Sequence, residues 1–171
     1  ELLVDNCRIP ATALLGSAGG GMRVMGAVGG LAALGAGAIA LGLAQAAIDE
    51  TKSYLQERTI MGQKLGEIGA VQIRFADMLT NQQAVRSLLN QAAYDRDNSK
   101  PGPIPSVFQA KIYSTEKALE IIDTAIKLHG MYGYSKELPL ERLYRDARAT
   151  TIHFGNNDVL RSTLSKIVLG V

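Results

Sequence analysis

At 171 residues, 47% apolar and 20% charged, the chain has the make-up of one well-buried globular domain. A net charge of +2, with no clustering of Lys or Arg among aromatics, argues against nucleic acid as a partner. The single Cys7 excludes an internal disulfide, and two distant histidines, His129 and His153, without companion thiols build no recognisable zinc site.

Residues 1–16, ELLVDNCRIPATALLG, alternate apolar and polar before meeting Pro10 and Gly16, which predicts a strand running out into a linker. A lone strand leaves its edge groups unpaired. Residues 1–18 are therefore expected to be the tail of an upstream β-domain, with 19–171 forming a helical domain. The chain opens on Glu1 and shows no leader-like pattern, so it is expected to derive from something longer, and its location cannot be read from this end.

Gly19, Gly20 and Gly21 make a joint, after which a short, glycine-weakened helix is predicted from Met22 to about Leu31. A long helix follows from about Ala32 to Arg58, with Ile39, Leu43, Ala46, Ala47, Tyr54 and Leu55 near helical spacing and Ala38, Gly42 and Ala46 forming a smooth ridge. It is expected to be the central helix, touched on several sides. The uncharged run Val24–Ile48 is long enough to cross a bilayer. Its Gly and Ala give weak insertion energy, however, and Asp49, Glu50 and Lys52 carry the same helix into polar ground, so no membrane span is expected.

Thr59 to Gly66 reads as a loop. Ile68, Val71, Phe75, Met78, Gln82, Val85, Leu89 and Ala92 then step by three or four residues, predicting a second long amphipathic helix to about Asp97. Asn98 to Pro105, with three prolines, breaks it. A third helix spans about Ser106 to His129, with Val107, Ala110, Ala118, Ile121, Ile122, Ala125 and Leu128 inward and Gly130 at its end. Pro139 suits the start of a short helix through about Ala149, and Asn156 or Asn157 suits the cap of a last one ending near Leu169. Long helices on short loops pack antiparallel, so the expected fold is all-α: an up-down antiparallel four-helix bundle with short extra helices.

The glycine turn at Gly155 places backbone N–H groups at a helix start, where a phosphate, carboxylate or carbonyl can be held. Such a turn is also how any bundle reverses direction, and spacing alone favours that plainer reading.

In order and spacing these segments resemble the C-terminal helical domain of the acyl-coenzyme A dehydrogenase family, flavoenzymes that desaturate acyl thioesters. Gly42-Leu43-Ala44-Gln45 is similar to that family's first long helix, and Arg58 with Met61-Gly62 to its Arg-x-x-Phe-Gly segment. Phe75-Ala76-Asp77-Met78 is similar to its second helix, the run His129 to Tyr134 to its Gly-Gly-x-Gly-Phe/Tyr, and Leu138 to Ala147 to its Tyr-Pro-x-Glu-Arg-x-x-Arg-Asp-Ala. The resemblance implies FAD, held in part by a neighbouring subunit's helical domain, with Arg58, Met61, Gly130 and Asn156 as contacts and Lys166 toward the acyl-CoA substrate. It also implies fatty acid metabolism and a homo- or hetero-oligomer built through helical domains. An electron-transferring flavoprotein is compatible as redox partner, and the bacterial cytoplasm is favoured over the mitochondrial matrix.

A guanidinium at 58 suits pyrophosphate, since its fork of donors meets two oxygens and stays charged, although Arg58 equally suits a helix C-cap. Desaturation needs a base for the proton alpha to the thioester, which most members supply as Glu in a Tyr-Glu-Gly-Thr turn. Here that turn reads His153-Phe154-Gly155-Asn156, and Phe154 has no proton chemistry. The alternative location on the first long helix, Gly29 to Leu34, holds no carboxylate. Two glutamines expected against the flavin correspond to Gly69 and Lys127, and Met131 replaces a glycine. His153 is the remaining titratable candidate, weighed against a plain structural histidine. Glu141 is expected to scaffold through Arg145 or Arg148, and Glu137 flanks the same proline. Three functions follow: a flavin-dependent acyl-CoA dehydrogenase with an altered base position, a catalytically degenerate subunit of a heteromeric one, or a helical assembly module.

Overall fold

The computed structural model describes residues 1–99 and 104–171. The helical periodicity becomes helices α1 (Gly21–Glu57), α2 (Gly69–Asn98), α3 (Pro105–His129), α4 (Met131–Tyr134), α5 (Leu140–Thr150) and α6 (Asn157–Leu169). The fold is all-α, as expected. The Pro101, Gly102 and Pro103 break lies outside the described residues.

The helix at the centre is α3, which packs against α1, α2, α4, α5 and α6. On α2, the expected Met78, Gln82, Val85, Leu89 and Ala92 are buried. On α3, Val107, Ala110, Ala118, Ile121, Ile122 and Ala125 are buried. One core cluster joins Ala40, Ala44 and Ile48 of α1 to Met78, Ile121, Ile122, Leu140 and Leu143, and a second joins Ala33 to Val85, Leu89, Val107 and Ala110. Burying such side chains contributes the bulk of the stability.

Several expectations are corrected, the first being the centre, which is α3 rather than the long helix α1. The first two helices are one, because nothing in the glycine-rich stretch is a proline and the chain runs helical from Gly21 to Glu57. Its buried face is Ala33, Ala36, Ala40, Ala44, Ala47, Ile48, Thr51 and Leu55, whereas Ala38, Ile39, Gly42 and Ala46 are exposed. A stretch of Ala and Gly carries little contrast between faces, so its orientation is set by fit: a Cβ on Gly37 would come within 2.7 Å of Leu89 and 2.8 Å of Ser114. By length and composition α1 could cross a membrane, and one side of it lies against α3.

Residues 1–10 pair with no strand among the described residues, as befits an end whose expected partner sheet lies upstream, and a three-residue 3-10 turn follows at Ala11–Ala13. The segment 59–66 is more ordered than a loop. Thr59–Ile60 (β1) and Gln63–Lys64 (β2) pair antiparallel, Thr59 opposite Lys64, around a two-residue turn of Met61 and Gly62, both at positive φ (52° and 81°). That twist matches paired strands.

Candidate functional site

The elbow between α5 and α6 is built from below by a lysine. Phe154 (φ 55°) and Gly155 (φ 104°) both adopt left-handed backbone, and a Cβ on Gly155 would meet Leu160 at 2.9 Å. Lys111, on the inward face of α3, is fully buried. Its Nζ donates to the carbonyls of Gly155 (2.7 Å) and Thr151 (3.3 Å) and to Asn157 Oδ1 (2.7 Å). Burial pushes its pKa down to about 8, with Glu116 pulling the other way, so the ammonium persists at neutral pH. The Thr151 carbonyl also accepts from the Asn157 N–H at 3.1 Å within the turn, whereas the Gly155 carbonyl is satisfied by a charge from another helix.

The network extends to α6. Asn156 caps this helix, its Oδ1 accepting from the Asp158 N–H at 2.9 Å. Asn157 is buried and donates to Thr115 Oγ1 and Glu116 Oε1, each at 3.1 Å. Arg161 binds both oxygens of Glu116 at 2.7 Å and Asp158 at 3.2 Å, which holds its pKa above the usual guanidinium value. The carboxylates that reach this corner are therefore bound to a guanidinium. Phe154 itself is 60% exposed, with the His153 ring edge-on at 6.3 Å. His153 is exposed as well.

At the other end of α3, Tyr54 stacks on His129 with ring centroids 4.2 Å apart, bringing the ends of α1 and α3 together. Arg58, the residue that closes α1, and Gly130, which closes α3 at φ 63°, therefore lie at one end of the bundle. Arg58 is exposed, and among the described residues no ion pair engages its guanidinium. Met61 projects fully exposed at the hairpin tip. Nothing stands within 4 Å of where a Gly130 Cβ would be, so its backbone is open to approach. Gly133 is the opposite case: a Cβ there would meet Ile126 O at 2.7 Å.

From Lys111 to His129 α3 rises about 27 Å, so the hairpin end and the elbow of one chain cannot converge on one small reacting group. Of the expected contacts, Arg58, Met61 and Gly130 gather at the hairpin end, while His153, Phe154 and Asn156 gather at the elbow. Lys166, exposed on α6, stands about 15 Å along that helix from the elbow and joins neither group. Glu141 pairs with Arg145 at 2.9 Å, as the scaffold reading requires. Lys127, one of the altered flavin positions, pairs with Asp123 at 2.6 Å.

Lys111 is the residue that sequence reasoning missed. A signal existed: Val107, Ala110, Ser114, Thr115 and Ala118, all buried, surround position 111 at helical spacing, which places it on the inward face.

Residues 19–169 match the family "Acyl-CoA dehydrogenase, C-terminal domain". The chain is 38% identical to the acryloyl-CoA reductase (NADH) of Anaerotignum propionicum, covering 99% of this chain and 43% of that protein. It overlays on butyryl-CoA dehydrogenase of Megasphaera elsdenii with a TM-score of 0.89 at 30% identity, covering 94% of this chain and 42% of that one. It overlays equally on a chain in the structure of the electron transferring flavoprotein of Acidaminococcus fermentans, with a TM-score of 0.91 at 32% identity, covering 96% and 43%. The chain therefore spans less than half the length of these relatives. By its family match, its helix order and its overlay on solved members, the chain belongs to the acyl-CoA dehydrogenase family of FAD flavoproteins, whose C-terminal domain it forms.

Proposed function

We propose that this chain is the C-terminal helical part, residues 19–171, of a flavin-dependent acyl-CoA oxidoreductase in which the position of the usual base is held by Phe154, and that residues 1–18 end its β-domain. The observation that carries the reading is Phe154 itself, exposed on a left-handed elbow that leads into the capped α6. Alpha,beta-desaturation removes a proton alpha to the thioester while the beta carbon gives up a hydride; reduction of the double bond reverses both. A phenyl ring can exclude water from that corner but can neither take nor return the proton. Glu116 and Asp158 are bound to Arg161, which leaves His153 as the titratable side chain next to position 154.

FAD, when bound, supplies the hydride acceptor. The hairpin end fits its diphosphate: Arg58 offers an uncommitted fork of donors, Met61 an exposed apolar tip and Gly130 an open backbone. Because that end and the elbow are set apart by about 27 Å of rise along α3, each flavin is read as lying between the elbow of one copy, with Asn156 at its turn, and the hairpin end of a neighbour. An acyl-CoA is the substrate, with Lys166 toward its far end, and an electron-transferring flavoprotein is the fitting redox partner. The bacterial cytoplasm is the compartment we favour.

A second reading is favoured by Gly69 and by Lys127, which lack the amides expected against a flavin: this chain is then the non-catalytic subunit of a heteromer whose partner supplies the glutamate. Expressing the intact protein alone and with its neighbouring dehydrogenase subunit, then measuring flavin content and acyl-CoA turnover, separates the two. A yellow, active homomer removes the second reading. Turnover that appears on Phe154→Glu supports the assignment of the corner, while a folded, flavin-loaded but inert variant counts against it.

A further inference from the structure

We propose that Lys111 is the positioning residue of the elbow, its ammonium clamping Thr151, Gly155 and Asn157 so that residue 154 is held outward in left-handed backbone. Phenylalanine has no side-chain hydrogen bond with which to stabilise a positive φ, so its conformation must be imposed from outside. Three oxygens converge on one buried nitrogen from three points of the turn, one before Phe154 and two after it. Asn157 is fixed in turn by Thr115 and Glu116, both within five residues of Lys111 on the same helix. The clamp is therefore a unit of α3, and the elbow is seated on it. A neutral side chain of equal length would take the donor from the Gly155 carbonyl and the Asn157 amide oxygen, leaving the Thr151 carbonyl with the Asn157 N–H alone, and the turn would relax to reach water.

The clamp stands on its own geometry; its bearing on chemistry rests on the reading of the elbow given above. The test uses the intact protein labelled with fluorinated phenylalanine, with the Phe154 resonance assigned through Phe154→Leu and Phe75 of α2 as an internal control. In Lys111→Met, the Phe154 signal is expected to shift and broaden, and amide exchange across Ile152–Asn157 to quicken roughly tenfold, with Phe75 unchanged. Asn157→Ala, which removes one of three acceptors, is expected to show a smaller change of the same kind and guards against a Lys111 variant that fails to fold. An unaltered Phe154 signal in folded Lys111→Met overturns the proposal, as does an equal response of Phe75 in Asn157→Ala. If the clamp behaves as expected while Phe154→Glu is inert, the elbow is held by Lys111 and the chemical reading alone fails.

Discussion

Around Lys111 the polar groups answer one another: an ammonium meets three oxygens, Asn157 meets Thr115 and Glu116, and Glu116 meets Arg161, the buried Ser106 Oγ in the first turn of α3 being the exception at this end. About five turns later the pattern reverses. His129 is buried with its Nδ1 donating to the Ala125 carbonyl at 2.7 Å, its Nε2 has no hydrogen-bond partner among the described residues, and Arg58 and Met61 are exposed to solvent. The contrast teaches where the structure is complete in itself and where it is not. A satisfied network fixes a shape, whereas exposed, uncommitted donors cost nothing in water and are available to something else.

The largest break in that comparison is expected from Lys111→Met. Loss of the donor to three interior oxygens should cost about 3 kcal/mol in denaturant unfolding. Gly133→Ala comes next, at roughly 2 kcal/mol, because the added methyl meets the Ile126 carbonyl and Cα, which belong to a helix and cannot give. That result would show the hairpin end to be tightly packed beneath its free surface.

Arg58→Met should change stability by less than about 0.5 kcal/mol, yet lower the flavin content of the intact protein. Equal flavin loading would remove Arg58 from the cofactor reading. The smallest effect is a pH dependence. Burial holds the His129 pKa below its ordinary 6.5, so the folded state binds fewer protons than the unfolded one. Stability is then full above the unfolded value and falls as pH drops through it toward the folded one. His129→Phe, which keeps a ring against Tyr54, should flatten that slope; an unchanged slope would assign it elsewhere.

Much of this architecture was legible because α2 and α3 repeat their apolar residues on one face, from Met78 to Ala92 and from Val107 to Ala125. The orientation of α1 was not, since Ala40 and Ala38 are the same residue type and only the close approach at Gly37 distinguishes buried from exposed. The hairpin was hidden because Met-Gly is not the pair that announces such a turn. The elbow at Phe154–Gly155 was visible from its glycine, but its support was not, because a lysine in a helix reads as solvent face until its flanking residues are counted.

On the proposed placement of the flavin between two copies, the length of α3 has a genetic consequence. When a working centre needs the elbow of one copy and the hairpin of another, a lesion at either end abolishes every centre in a uniform assembly. Mix copies carrying different lesions, and some centres are built from the sound half of each, so two defective alleles restore part of what neither sustains alone.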